Sequence, residues 1–168
     1  EASVDIGNSR IKVGVFKEGA ITAHSIQDEA SVIDYLKSWE ASRLIVSSVA
    51  GKEELVATLQ ANFHYVLDFN RATPLPLKIS YGTPKTLGLD RLAAAAGALR
   101  HHAAPLLVID AGTCITCDLV NQPQGFIGGS ISPGLQMRLQ AMHTFTRNLP
   151  LLELESPLKG VPDSTRQA

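Results

Sequence analysis

Two short stretches of the sequence join a carboxylate to a glycine turn. In Asp5-Ile6-Gly7-Asn8-Ser9 a strand-like run ends in a carboxylate and then turns. Gly7 lets the backbone approach a ligand with no Cβ in the way. The N–H groups that follow can converge on an anion, and Asn8 and Ser9 add side-chain donors. Lys12 could neutralise a phosphate. Asp5 could hold a magnesium ion directly or through water, because Mg²⁺ takes oxygen ligands and keeps several waters. One copy alone reads more simply as an Asx-type hairpin turn. The second copy, Asp110-Ala111-Gly112-Thr113, changes that weighing, since two such turns facing each other could grip a nucleoside triphosphate from both sides.

A second block, from Tyr81 to Ala98, reads YGTPKTLGLDRLAAAAGA. Gly82, Pro84 and Gly88 shape a tight approach to a helix start, with Asp90 and Arg91 in its first turn. A carboxylate there could take the proton of a substrate hydroxyl. The arginine beside it could bind a substrate carboxylate with its planar fork. An equally simple reading is a dipole-compatible aspartate with a solvated arginine. A third block, Gly128 to Gly134 (GGSISPG), places backbone close to a ligand or merely punctuates a helix start. No GxxxxGK[ST] loop and no GxGxxG fingerprint occurs, so any phosphate binding must use the paired turns. Cys114 and Cys117 spell C-x-x-C, but in a strand that spacing puts them on opposite faces, and no second pair completes a zinc site. His101 and His102 suit a helix end, and the remaining histidines lack ligand spacing.

The elements that must carry these residues can be read from periodicity. Val4, Ile6, Ile11, Val13 and Val15 alternate, predicting strands over Ala2 to Ile26 with a break at Glu18-Gly19. Asp28 opens a helix with Val32, Ile33, Leu36 and Trp39 on one face. Leu44 to Val46 predicts a buried strand. Leu55, Val56 and Leu59 predict a helix, and Tyr65 to Leu67 a further strand. Asn70 to Pro84 is a proline-marked loop. Leu87 to His102 is an Ala-rich helix with Leu92, Ala96 and Leu99 inward. Leu106 to Val120 reads as strand, turn, strand, and Gly125 to Ser132 as a glycine-rich strand or turn. Leu135, Leu139, Met142, Phe145 and Leu149 make a helical stripe, read as core packing in preference to a subunit interface, which would need the same residues. Strands followed by alternating helix and strand favour a mixed α/β sheet. VDIGNSRIKVGVF and IDAGTCITCDLV share one form, so each is expected to open a similar lobe. The lobes are expected at 1–104 and 105–168, the second C-terminally incomplete, since too little chain follows Asp110 to repeat the first.

Composition removes other classes. The 168 residues carry 15 Lys+Arg against 16 Asp+Glu, a net charge of -1, with no basic stripe for nucleic acid or a membrane surface. With 45% hydrophobic and 18% charged residues, the chain is too apolar for disorder. The run Leu92 to Leu99 is far short of the roughly 20 residues a membrane span needs. No signal-peptide pattern opens the sequence, and two cysteines build no disulfide framework, so a cytoplasmic location is expected.

Taken together and in order, DIGNSRIK (Asp5 to Lys12), YGTPKTLGLDR (Tyr81 to Arg91), DAGTCITCD (Asp110 to Asp118) and GGSISPG resemble the type III pantothenate kinases, also called the Bvg accessory factor family. The resemblance implies duplicated actin-like, ribonuclease H-like lobes of the acetate and sugar kinase, heat-shock chaperone and actin superfamily. It implies ATP-dependent phosphorylation of pantothenate to 4′-phosphopantothenate, the first step of coenzyme A synthesis. By the same resemblance Asp90 is the general base. Asp5, Ile6, Gly7, Asn8, Ser9, Arg10, Ile11, Lys12 and Thr113 meet ATP, with Asp5 near magnesium. Tyr81, Gly88, Leu89, Asp90, Arg91 and Thr165 meet pantothenate, and Asp110 holds a potassium or ammonium ion. A homodimer is implied, with neither nucleic acid nor membrane as partner. The alternatives are a non-catalytic nucleotide-binding regulatory relative, which the complete LGLDR segment disfavours, and a sugar or acetate kinase of the same superfamily.

Overall fold

In a computed structural model describing residues 1–7, 10–48, 52–123, 125–153 and Ser164, the alternating run at the N-terminus forms β1 (Ala2–Ile6) and β2 (Ile11–Lys17). They pair antiparallel, and β3 (Ala20–Gln27) continues the meander. The break at Glu18-Gly19 is a two-residue turn with both residues at positive φ, 53° and 79°. That geometry matches the right-handed twist of the flanking strands. Asp28 precedes the helix as expected: its carboxylate accepts from the Ser31 N–H at 2.9 Å and the Ser31 hydroxyl at 2.7 Å. These bonds hold the Asp28 carboxyl below its ordinary range. α1 (Val32–Ser38), β4 (Arg43–Ser48), α2 (Glu53–Asn62) and β5 (Tyr65–Asp68) follow. β4 pairs parallel with β1, and β5 with β4, giving the order β3-β2-β1-β4-β5.

One face of this sheet is apolar. Val4, Ile6, Ile11, Val13, Leu44 and Val46 bury against Val32 and Leu36 of α1 and Leu55 and Leu59 of α2. Alternation sends Asp5, Lys12 and Ser47 to the other face, and in the ladder Asp5 stands between them. Two expectations change. Ile45 lies between two buried neighbours but points outward, because β4 is covered on one side only. Trp39 falls at the C-terminal cap of α1 and is exposed.

The second set of elements begins in the proline-marked loop. A 3₁₀ turn at Pro84–Thr86 leads into α3 (Leu89–His101), then β6 (Leu106–Ala111), β7 (Cys114–Asn121), β8 (Gly125–Pro133) and α4 (Leu135–Phe145). β6, β7 and β8 form an antiparallel sheet in that order. The loop is tied to β8: Lys78 O accepts from Phe126 N and Phe126 O from Ser80 N, both at 2.8 Å. Gly125, at φ 76°, permits this contact, because a Cβ there would overlap the Lys78 backbone. Leu87, Leu92, Ala95, Val120 and Phe126 make the core.

The chain divides into two compact units, Glu1–Pro74 and Leu75–Ala168. α3 falls in the second of these units, where its apolar face buries against Val120 and Phe126 of the second sheet. Ala95, rather than Ala96, is its fully buried alanine. The α4 stripe departs furthest from expectation: none of its residues is buried, and Phe145 is 86% exposed.

Candidate active site

The two carboxylate turns occupy matching places in their meanders. Asp5 is the penultimate residue of β1 and Asp110 the penultimate residue of β6. A glycine follows each by two residues and donates its N–H within the turn: Gly7 N to Arg10 O at 3.0 Å, and Gly112 N to Cys114 O at 2.9 Å. The repeat read in the sequence is thus a repeat of hairpins. In the first turn Ile6 and Ile11 are core residues, so only their backbones remain for a ligand. Lys12 lies directly across from Asp5, and Arg10 is exposed. Asn8 and Ser9 lie outside the described residues, as does Thr165.

The second turn is held from behind by the third sequence block. Gly134 N donates to Thr113 O at 2.9 Å. A Cβ on Gly134 would overlap the Gly112 and Thr113 carbonyl oxygens, so glycine alone allows α4 to begin this close to the turn. Asp110 and Thr113 are exposed, and Thr116 faces Asp110 across the ladder. A carboxylate beside a hydroxyl is an oxygen donor set suited to a hard cation. Asp5 and Ser47 make a comparable pair on the first sheet. Among the described residues no three His, Cys, Asp or Glu side chains cluster as a metal site.

The Tyr81 to Arg91 block is the most tightly built. Gly88 caps α3, and a Cβ there would overlap Asp90 Oδ1, so the glycine makes room for that carboxylate. Asp90 is exposed in the first turn of α3, where the helix dipole favours a negative charge. Arg91, the next residue, turns inward and is only 6% exposed. Its Nε donates to both oxygens of Asp118 at 3.0 and 3.1 Å, and its Nη2 donates to Asp118 Oδ1. Its Cζ sits 5.7 Å from the Phe126 ring centroid, within cation–π range. Tyr81 packs edge-on against the same ring, centroids 6.0 Å apart at 78°. The hydrogen bonds to Asp118 outweigh desolvation, and with a smaller contribution from Tyr81 they push the Arg91 guanidinium above its ordinary range. It is therefore charged at every working pH.

The solvated-arginine reading of Arg91 does not hold. Tyr81, Leu89 and Arg91 meet around the core that holds Phe126, and Gly88 and Asp90 adjoin them in the chain. The structure adds Asp118 and Phe126, which carried no expected role, and puts Gly129 beside them. A Cβ on Gly129 would overlap Asp118 Oδ1 and the Cys117 carbonyl. The available signal was the alternation of β7, which puts Asp118 in the buried register of Thr116 and Val120. A charge in that register calls for a buried partner. Gly129 and Gly134 of the third block thus serve as internal support. Cys114 and Cys117 are free thiols of opposite parity in β7.

The family model for type III pantothenate kinase matches residues 3–168. The type III pantothenate kinase of Flavobacterium johnsoniae is 39% identical over 175 residues, covering 99% of this chain and 70% of the relative. That of Azobacteroides pseudotrichonymphae is 39% identical over 173 residues, covering 96% and 69%. A crystal structure of a Baf family protein from Campylobacter jejuni superposes with a TM-score of 0.60 at 21% identity, covering 99% of this chain and 70% of its own. A match along almost the whole sequence, with every motif block inside it, means that the chain belongs to the type III pantothenate kinase family.

Proposed function

We propose that the chain transfers the γ-phosphoryl group of ATP to the hydroxyl of pantothenate, giving ADP and 4′-phosphopantothenate, the opening step of coenzyme A synthesis. The observation that carries this reading is the family match over residues 3–168. Phosphoryl transfer asks a protein mainly for positioning and charge neutralisation. The carboxylate of Asp90, exposed at the start of α3, takes the hydroxyl proton as the oxygen–phosphorus bond forms and the bond to ADP breaks. Tyr81 and Gly88 to Arg91 form the pantothenate side, with Thr165 assigned to it by resemblance. By resemblance, the turn from Asp5 to Lys12 and, in the other unit, Thr113 are each assigned to the phosphates of ATP.

Magnesium bound with ATP would offset the charge on the transferring phosphates, and the cross-strand pair Asp5 and Ser47 supports a role for Asp5 in holding it, directly or through water. Asp110 with Thr116 is the corresponding pair for a potassium or ammonium ion. The two hairpins with their matching aspartates support duplicated actin-like lobes. The uncovered stripe on α4 supports a homodimer. No helix among the described residues is long and apolar enough to cross a membrane. We place the reaction in the cytoplasm, with neither nucleic acid nor membrane as partner.

The test is ADP release with Mg-ATP and potassium, with and without pantothenate. Release that depends on pantothenate is expected, and should fall when sodium replaces potassium. Equal release with and without pantothenate would overturn the reading.

A further inference from the structure

We propose that Asp118 is a positioning residue for the substrate end of the site, fixing the Arg91 guanidinium and with it the first turn of α3 in the orientation that binds pantothenate. The proposal rests on the reading above of Tyr81 and Gly88 to Arg91 as the pantothenate side, and it adds a residue that the reading does not use.

Asp118 is 1% exposed and shares its face of β7 with Val120, beneath α3. Packing alone does not call for a carboxylate there. Burying an ion pair costs desolvation, and apolar side chains of similar volume often serve stability equally well. What the pair supplies is direction. Three hydrogen bonds from Nε and Nη2 set the plane of the guanidinium. Phe126 closes one face of it, and Tyr81 leans on the same ring. Gly129 is the clearance that lets the Asp118 carboxylate sit at this depth.

The loop, α3, β7 and β8 therefore converge on one side chain, and that side chain is covalently adjacent to Asp90. An arginine free in solvent would lose rotamer freedom on gripping a substrate. One pinned beforehand loses little, so the cost of binding falls. Asp118 acts only through Arg91, so its effect should appear on pantothenate and not on ATP.

The experiment compares KM for pantothenate, KM for ATP and kcat in the unaltered chain, Asp118→Asn, Arg91→Lys and the double variant, with thermal unfolding on each. Asp118→Asn keeps the volume and removes the charge. A charged hydrogen bond lost from a positioning role should raise the pantothenate KM by about tenfold or more. The ATP KM should stay within about twofold. Because both residues act on one group, the double variant should be less impaired than the product of the single effects. Additive effects, an unchanged pantothenate KM in Asp118→Asn, or equal rises in both KM values would overturn the proposal. Should Asp118→Asn fail to fold, Asp118→Ser, which clears Gly129 and retains one acceptor, takes its place with the same expected split. If neither variant folds, the pair is a folding determinant and the proposal is overturned. Turnover by the unaltered chain with no KM effect in the variants defeats this proposal alone. Absence of pantothenate-dependent turnover in the unaltered chain defeats the functional reading and this proposal with it.

Discussion

Asp90 and Arg91 are adjacent in the chain and opposite in environment. Asp90 stands exposed at the start of α3, whereas Arg91 is buried against Asp118 and Phe126. An exposed carboxylate at a helix start suits proton transfer, because it can meet a substrate hydroxyl without reorganising the core. Asp90→Asn keeps the shape and removes the proposed base. It is expected to lower kcat by about 10²- to 10⁴-fold. Thermal unfolding should be nearly unchanged, since no core contact is lost. A variant retaining most of its kcat would remove Asp90 from the role of base. Asp90 and Arg91 could be located from the LGLDR segment alone. That one faces solvent and the other the interior could not, because the register of a helix against its neighbour is set by side chains far along the chain.

At the scale of elements, glycines decide how closely strands, loops and helices approach. Gly134 starts α4 against the carbonyls of Gly112 and Thr113, with its own N–H bonded to Thr113 O. Its backbone is ordinary, φ -67° and ψ 171°, so an alanine there meets a clash and no torsional strain. Gly134→Ala should therefore push the β6–β7 turn outward and cost about 1–3 kcal/mol, measured by denaturant unfolding. Because that turn carries Thr113, the ATP KM should rise more than the pantothenate KM, the reverse of the split expected for Asp118. The glycine block was visible in the sequence, with its function left open between ligand contact and helix punctuation. The structure shows neither alone: Gly129 makes room for Asp118, and Gly134 braces the second turn.

At the scale of the whole molecule, the second unit leaves apolar surface uncovered. Leu135, Met137, Met142 and Phe145 of α4 are exposed, as are Leu107, Ile109 and Ile131 of the sheet. Exposed large apolar side chains repeated along one helix are candidates for an interaction site. For α4 the proposed partner is a second copy. Sedimentation of the unaltered chain should give twice its mass, and Phe145→Glu should shift it toward the monomer, since a buried unpaired charge opposes association. A monomer in the unaltered chain would end that reading. What the sequence by itself determined is local: the alternation of the two meanders, the turn residues between their strands, the helix starts, and four motif blocks sufficient to name the family. What only the tertiary structure decided is which apolar faces find cover and which charges find partners. Periodicity marks a face as apolar without saying what lies over it. The stripe on α3 is met by Val120 and Phe126 of the second sheet, while the stripe on α4 is left open. Likewise Arg91 and Asp118 are joined by burial across 27 positions, and no local spacing encodes that bond.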